Sequence, residues 1–363
     1  MGEIPLCRMY VDDEIKKAAL DVLDSGWYVK GENANALEKE FADFCNAKYG
    51  VSASSGTTAI FLALQALGIG KGDEVIVPSA TFIATVNPVI LLGGTPVFAD
   101  IDLTTNTMDP EEIKHLISSK TKAIMPVHLY GHPAEMKTIM DIASDHDLKV
   151  IADACQAHGA MAFGHKVGTI ADAACFSYFP SKNMTVAGEG GMVTTNDPEL
   201  AKSMSMIKDH GRKDKHTSVM LGFNFRLSEL HAAIGRVQLK HLSDWVEAKR
   251  KNASHYNELL SGFEKIITPT EKSWARHAYY VYVIKSKKRD ELAEHLKTKG
   301  IFTGVHYPIP VHKQPFILDV LPEVTLEHTE EWAESVLSLP LDPQISFEEI
   351  ERVVEEIKNF YRG

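Results

Sequence analysis

Cysteine is scarce and scattered. The 363 residues hold four, Cys7, Cys45, Cys155 and Cys175, with none of the close pairing of a structural zinc site or a disulfide framework. Two of them lie in strand-like stretches, so free, buried thiols in a reducing cytoplasm are expected. Positive charge is also short: 38 Lys and Arg stand against 49 Asp and Glu, a net charge of -11. That leaves no basic stripe for nucleic acid and no polybasic segment for a membrane surface, and an anionic substrate must be met by local positive groups. No apolar run approaches bilayer length, and the start Met1-Gly2-Glu3-Ile4-Pro5 lacks the basic and apolar blocks of a secretory signal. A cytoplasmic chain with neither membrane nor nucleic-acid partners is the expectation. Internal repeats and low-complexity linkers are missing too.

Two tempting motifs fail for physical reasons. Gly68-Ile69-Gly70-Lys71-Gly72 follows a helical pattern and precedes a strand, the reverse of the dinucleotide fingerprint, and reads as a turn. His128 and His132 have helical ligand spacing, but Gly131 and Pro133 break any helix there and no acidic partner completes a zinc motif, so no metal is expected.

What the chain does have is alternation. Strand patterns over Glu74–Pro78, Pro96–Asp100, Ala123–His128, Lys149–Asp153, Ala173–Tyr178 and Gly191–Thr195 are interleaved with helical patterns such as Pro110–Ser118, Ala134–His146 and Asp197–Lys208. This predicts an α/β fold with a mainly parallel sheet wrapped by helices and a ligand at the carboxyl ends of the strands. A long helical pattern runs from Leu227 to about Leu260, and the pattern changes within it near Trp245. The expected division is therefore a large domain over 1–245 and a smaller C-terminal α+β domain over 246–363. The second holds strands over His277–Ile284 and Phe302–His306, and helices over Lys288–Lys299 and Phe347–Tyr361.

Three sites on this pattern carry chemistry together. Lys182 follows the strand-like Cys175-Phe176-Ser177-Tyr178 after a break at Pro180, and Asp153 ends the strand Val150-Ile151-Ala152. The turn Ser54-Ser55-Gly56-Thr57-Thr58 opens an apolar helix, where free N–H groups and the positive end of the helix dipole suit a phosphate. Singly, a lysine after a strand is a solvated charge and an Asp at a strand end is a cap. Together they match the needs of pyridoxal 5'-phosphate (PLP): an amine for the aldehyde, a carboxylate for the ring nitrogen and a cradle for the phosphate.

At these residues the chain resembles the DegT/DnrJ/EryC1/StrS family of PLP-dependent nucleotide-sugar aminotransferases, which have the fold type I architecture. The resemblance runs almost end to end, through Leu23-Asp24-Ser25-Gly26-Trp27, Gly72-Asp73-Glu74-Val75-Ile76-Val77-Pro78-Ser79, Pro126-Val127-His128-Leu129-Tyr130-Gly131, Gln156-Ala157-His158-Gly159-Ala160 and Gly188-Glu189-Gly190-Gly191-Met192-Val193. It implies that Lys182 holds the cofactor as a Schiff base, that Asp153 faces the pyridinium nitrogen, and that Gln156 bonds the ring hydroxyl. Phe82 would stack on the ring, the alternative being a core phenylalanine. The phosphate would be held by Ser55, Gly56, Thr57 and Ser177, and by Asn224 from the second subunit of a homodimer with shared active sites. The family also folds its extreme N-terminus, here Met1 to about Val11, against the small domain.

The activity implied is ping-pong transfer of an amino group from an amino acid, glutamate being the expected donor, to a keto group of a nucleotide-linked sugar. Two alternatives are a PLP-dependent sugar dehydratase, although such relatives carry histidine at the lysine position, and a non-catalytic regulatory protein on the same fold. Arg226, His306 and Tyr307 are candidate substrate contacts. The last two lie in the stiff loop Gly304-Val305-His306-Tyr307-Pro308-Ile309-Pro310-Val311-His312, which reads equally as a purely structural loop. That loop is similar to those of members acting on 3-keto sugars, while the Gly188–Gly191 turn is met more in those acting on 4-keto sugars. The position aminated stays open.

Overall fold

The computed structural model describes residues 2–362, so Met1 of the N-terminal segment lies outside them. Seven strands form the main sheet: β1 (Tyr49–Ala53), β2 (Glu74–Pro78), β3 (Thr95–Ala99), β4 (Thr121–Ile124), β5 (Lys149–Asp153), β6 (Ala173–Ser177) and β7 (Gly191–Thr195), in the order β1-β7-β6-β5-β4-β2-β3. Neighbours from β6 through β3 pair in parallel, and only β7 runs against both of its neighbours.

Both faces of this sheet are covered, which is why its strands read as continuous apolar runs rather than alternating ones. Successive side chains point to opposite faces. Ile76, Val150, Ala152, Ala174 and Phe176 join one core, while Val75, Val77, Ile151, Ala173 and Cys175 join the other. The helices that cover it include α2 (Glu32–Cys45), α3 (Gly56–Ala66), α4 (Met136–Asp145) and α5 (Pro198–Ile207), while α1 (Asp13–Ser25) packs on the long helix that starts at Glu229. On α3 the run Ala59, Ile60, Leu62, Ala63 and Leu64 is buried on the second face.

The helix α6 (Glu229–Leu260) is unbroken through Trp245. Its first half buries Ala232, Leu242 and Val246 against the sheet, and its second half buries Ala253, Tyr256 and Leu260 in a separate C-terminal core. That core is closed by α7 (Arg289–Thr298), α8 (Phe347–Arg362) and the antiparallel pair β8 (Tyr282–Lys285) and β9 (Val336–Leu339). The spacing Ile350, Val353, Val354, Ile357 puts one apolar stripe of α8 into it. Ile4 joins the same core, and its N–H donates to the Gly300 carbonyl at 2.8 Å.

Two strand expectations need correction. The segment expected to pair over His277–Ile284 enters the sheet only at Tyr282. The backbone before it is spent elsewhere: Ala278 and Tyr280 donate to the carbonyls of Gly131 and Tyr130, and the Ala278 carbonyl accepts from the Asn183 side chain. Over Phe302–His306 there is no strand either, because Ile301 and Gly304 make single bridges to two different partners, Ile4 and Ser338. Among the described residues no helix is long and apolar enough to cross a membrane.

Candidate active site

The carboxyl ends of β1, β2, β5 and β6 open into one cavity of about 410 Å³, lined by Ser55, Gly56, Thr57, Phe82, Asp153, Gln156, Ser177, Lys182, His306 and Tyr307. A larger groove of about 650 Å³ between α1, α2 and α6 holds none of these residues. The candidate residues gather in the smaller one.

At the floor, Asp153 is 5% exposed. Thr85 Oγ1 donates to its Oδ2 at 2.7 Å and the Cys155 N–H to its Oδ1 at 3.0 Å. Among the described residues no cation pairs with it. A buried carboxylate with two neutral donors and no counterion suits a protonated ring nitrogen.

The helix start beside it is built by its sequence. Ser55 Oγ accepts from the Thr58 N–H at 3.1 Å and Thr58 Oγ1 from the Ser55 N–H at 2.9 Å, a reciprocal cap that leaves the first helical N–H groups, those of Gly56 and Thr57, for an external anion. Glycine is required at 56, since a Cβ there would lie 2.7 Å from Ser177 Cβ and 3.0 Å from Cys155 Sγ. That close approach is what brings the Ser177 hydroxyl to the helix start.

Phe82 is 52% exposed, so it is not a core residue. Its ring sits 5.5 Å from that of Tyr307 at a 33° tilt, and the two form an aromatic wall. Gln156 accepts from the Tyr130 N–H through Oε1 (2.8 Å) and donates through Nε2 to the Tyr307 hydroxyl (3.2 Å). Burial, with Tyr280 and Asp153 adding to it, raises the Tyr307 phenol far above its ordinary range, so it stays protonated. His306 Nδ1 lies 2.8 Å from Ser338 Oγ. Burial first, then the charge of Lys182, lowers the His306 imidazole to about 4, so at neutral pH it contributes hydrogen bonds and no charge.

Lys182 Nζ lies 4.1 Å from the centre of the Tyr280 ring, a cation–π contact that fixes its direction. Tyr280 OH is 2.9 Å from Ser181 Oγ.

Asn224 and Arg226 are not among the residues lining this cavity. Asn224 bridges Asp209, and Arg226 Nη1 lies 2.5 Å from Asp209 Oδ1. Burial works against Asp209, but hydrogen bonds from Lys30, Arg212 and Arg226 outweigh it and hold its carboxyl well below the usual range. Conversely, Thr85, Glu189 and Tyr280 line the cavity without having been singled out. Glu189 lay within the Gly188–Gly191 cluster read as a turn; Thr85 and Tyr280 carry no local signal. PLP fits the residues present: an uncompensated buried carboxylate, an open helix start, an exposed aromatic face and one amine converge on a single cavity.

Comparison with known proteins agrees with this geometry. The model of the DegT/DnrJ/EryC1/StrS aminotransferase family matches residues 9–358. The chain is 39% identical to the dTDP-3-amino-3,4,6-trideoxy-alpha-D-glucose transaminase of Streptomyces venezuelae over 96% of its own length and 92% of the relative's. It is 43% identical to a pleiotropic regulatory protein of Geobacillus stearothermophilus over 96% and 95%. Among solved structures, S. venezuelae DesV in complex with a ketimine intermediate superposes with a TM-score of 0.97 at 37% identity, covering 100% of both chains. NtdA of Bacillus subtilis with bound cofactor PMP superposes with a TM-score of 0.93 at 34% identity, covering 100% of this chain and 86% of that one.

Proposed function

The chain belongs to the DegT/DnrJ/EryC1/StrS aminotransferase family, and from that membership we propose that it moves an amino group from glutamate to a keto carbon of a nucleotide-linked sugar, with PLP held in the cavity described above. The observation that carries the reading is the convergence of Lys182, Asp153 and the Ser55–Thr57 helix start on one cavity. The Streptomyces relative, a transaminase of a 3-amino sugar, favours a 3-keto sugar.

When bound, PLP supplies an aldehyde that captures amines and a ring that stabilises negative charge on the carbon losing its proton. The chain's own residues do the rest. Asp153 keeps a proton on the ring nitrogen, and Gly56, Thr57 and Ser177 orient the phosphate. Phe82 and Tyr307 wall the ring and exclude water. Lys182 would anchor the cofactor through its amine and would serve as the base and acid that moves a proton between the donor α-carbon and the cofactor carbon two atoms away. Its position over the Tyr280 ring supports that short transfer. Tyr307 and neutral His306 are donors for sugar hydroxyls or pyrophosphate oxygens.

We assign Asn224 and Arg226 to the cavity of a second subunit. Exposed Trp27, Tyr28 and Val29 support this, because Val29 bridges Ser228, two residues from Arg226, and an apolar strip of this kind suits a symmetric interface.

The test has two parts. Borohydride reduction of the purified protein should fix a phosphopyridoxyl group on the Lys182 peptide. Incubation with glutamate and a panel of UDP-, dTDP- and GDP-linked 3- and 4-keto sugars should yield one amino sugar by mass spectrometry. A label only on other lysines would sink the site. A Lys182 label without amination of any sugar would favour the regulatory alternative.

A further inference from the structure

The apolar stripe that α6 turns inward, through Val246, Ala253 and Tyr256, contains one lysine. Lys249 is 4% exposed, as buried as its neighbours. A buried ammonium costs free energy unless its hydrogen bonds are well made, so one kept in a helix core calls for a use.

Both hydrogen bonds of Lys249 run to the frame around Lys182. Its Nζ donates to Asn183 Oδ1 at 2.8 Å and to the Tyr280 carbonyl at 3.0 Å. Asn183 is the residue after Lys182, and its own amide donates to the Ala278 carbonyl at 2.9 Å. Tyr280 carries the ring on which Lys182 Nζ rests, and its hydroxyl reaches Ser181, the residue before Lys182. One ammonium thus ties the loop bearing the reactive amine to the segment bearing the ring that aims it.

We propose that Lys249 is a positioning residue for Lys182: from behind the active-site loop it locks Asn183 and Tyr280 together, and with them the direction of the Lys182 amine. The inference rests on the reading of Lys182 as the cofactor-bearing lysine. Lys249 also brings a charge. Burial first, opposed by Cys7 and Asp342 and aided by the Lys182 charge, lowers its amine to about 8.

The two effects separate by mutation of the full-length protein loaded with PLP. Asn183→Ala cuts one tether and keeps the charge: kcat should fall about 10- to 100-fold with KM for either substrate little changed. The pH midpoint of the visible band from the Lys182–cofactor linkage should stay in place. Lys249→Met removes tether and charge, so kcat should fall at least as far and the midpoint should rise by about one unit. The double variant should be no slower than Lys249→Met, because both substitutions cut the same link. A folded Lys249→Met protein with a lower melting temperature but unchanged kcat and midpoint would reduce Lys249 to a packing role. If that variant does not fold, Asn183→Ala decides alone, an unchanged kcat overturning the proposal. A wild-type protein without a Lys182-linked band would instead remove the reading on which it rests.

Discussion

Asp153 and His158 show how differently two buried polar side chains in one region are handled. His158 has no exposed surface and packs among Phe41, Phe176 and Tyr178, with neither ring nitrogen hydrogen-bonded. Burial first, then the nearby Lys182 charge, lowers its imidazole to about 3, so it is a neutral packing group. Asp153 instead has both oxygens engaged by donors and no cation, an arrangement completed by a charge arriving with the cofactor. Asp153→Asn keeps the size and the Thr85 contact but cannot hold a proton on the ring nitrogen. Transamination should fall roughly 100-fold or more, about 2.7 kcal/mol of transition-state stabilisation. Stopped-flow half-reactions with glutamate check this, and near-normal turnover would show the carboxylate to be misassigned.

The helix α3 and the loop over 304–313 show how short pieces are held in place for chemistry. The α3 start is fixed by its own cap, and its approach to β6 depends on the missing side chain at Gly56. Gly56→Ala forces a Cβ against Ser177, and helix and strand must part. The expected result is about 1–3 kcal/mol of lost stability and PLP affinity lowered by at least about 10-fold as the phosphate cradle widens. A thermal melt and a cofactor titration measure the two, and wild-type PLP affinity would show that the cradle lies elsewhere. The proline-rich loop is held rigidly and also lines the cavity. It is a stiff strut, since Ser79 Oγ lies 2.6 Å from His312 Nδ1 and accepts from the His312 N–H at 2.9 Å, while the Val311 N–H donates to the Ser79 carbonyl at 3.1 Å. It also delivers His306 and Tyr307 to the cavity.

For the whole molecule, the open question is whose active site Asn224 serves. If it reaches the partner's phosphate, Asn224→Asp sets a carboxylate against that phosphate and disables the neighbouring site, while Lys182→Ala disables its own. Mixing the two inactive proteins under subunit exchange makes about half the dimers mixed, each with one intact site. Activity should recover to about a quarter of wild type. No recovery despite verified exchange would place both residues in one subunit's site or remove one from it. How much of this was legible in the chain follows the range of the interactions. β2, β5 and β7 were bounded to the residue, and Ser55–Thr57, Asp153 and Lys182 were found at strand and helix ends, because side-chain periodicity, helix capping and turn chemistry are set by neighbours a few positions apart. Phe302–His306 and the backbone before Tyr282 were misread as strands because alternation does not reveal which distant backbone takes the hydrogen bonds. The residues that complete the site were invisible for the same reason. Thr85 meets Asp153 across 68 positions, Lys249 meets Asn183 across 66, and Tyr280 meets Ser181 across 99. The sequence by itself determined the layered α/β architecture and the three groups of the candidate site, while the tertiary structure alone decided what braces them, since contacts between remote segments arise from packing and leave no periodic trace along the chain.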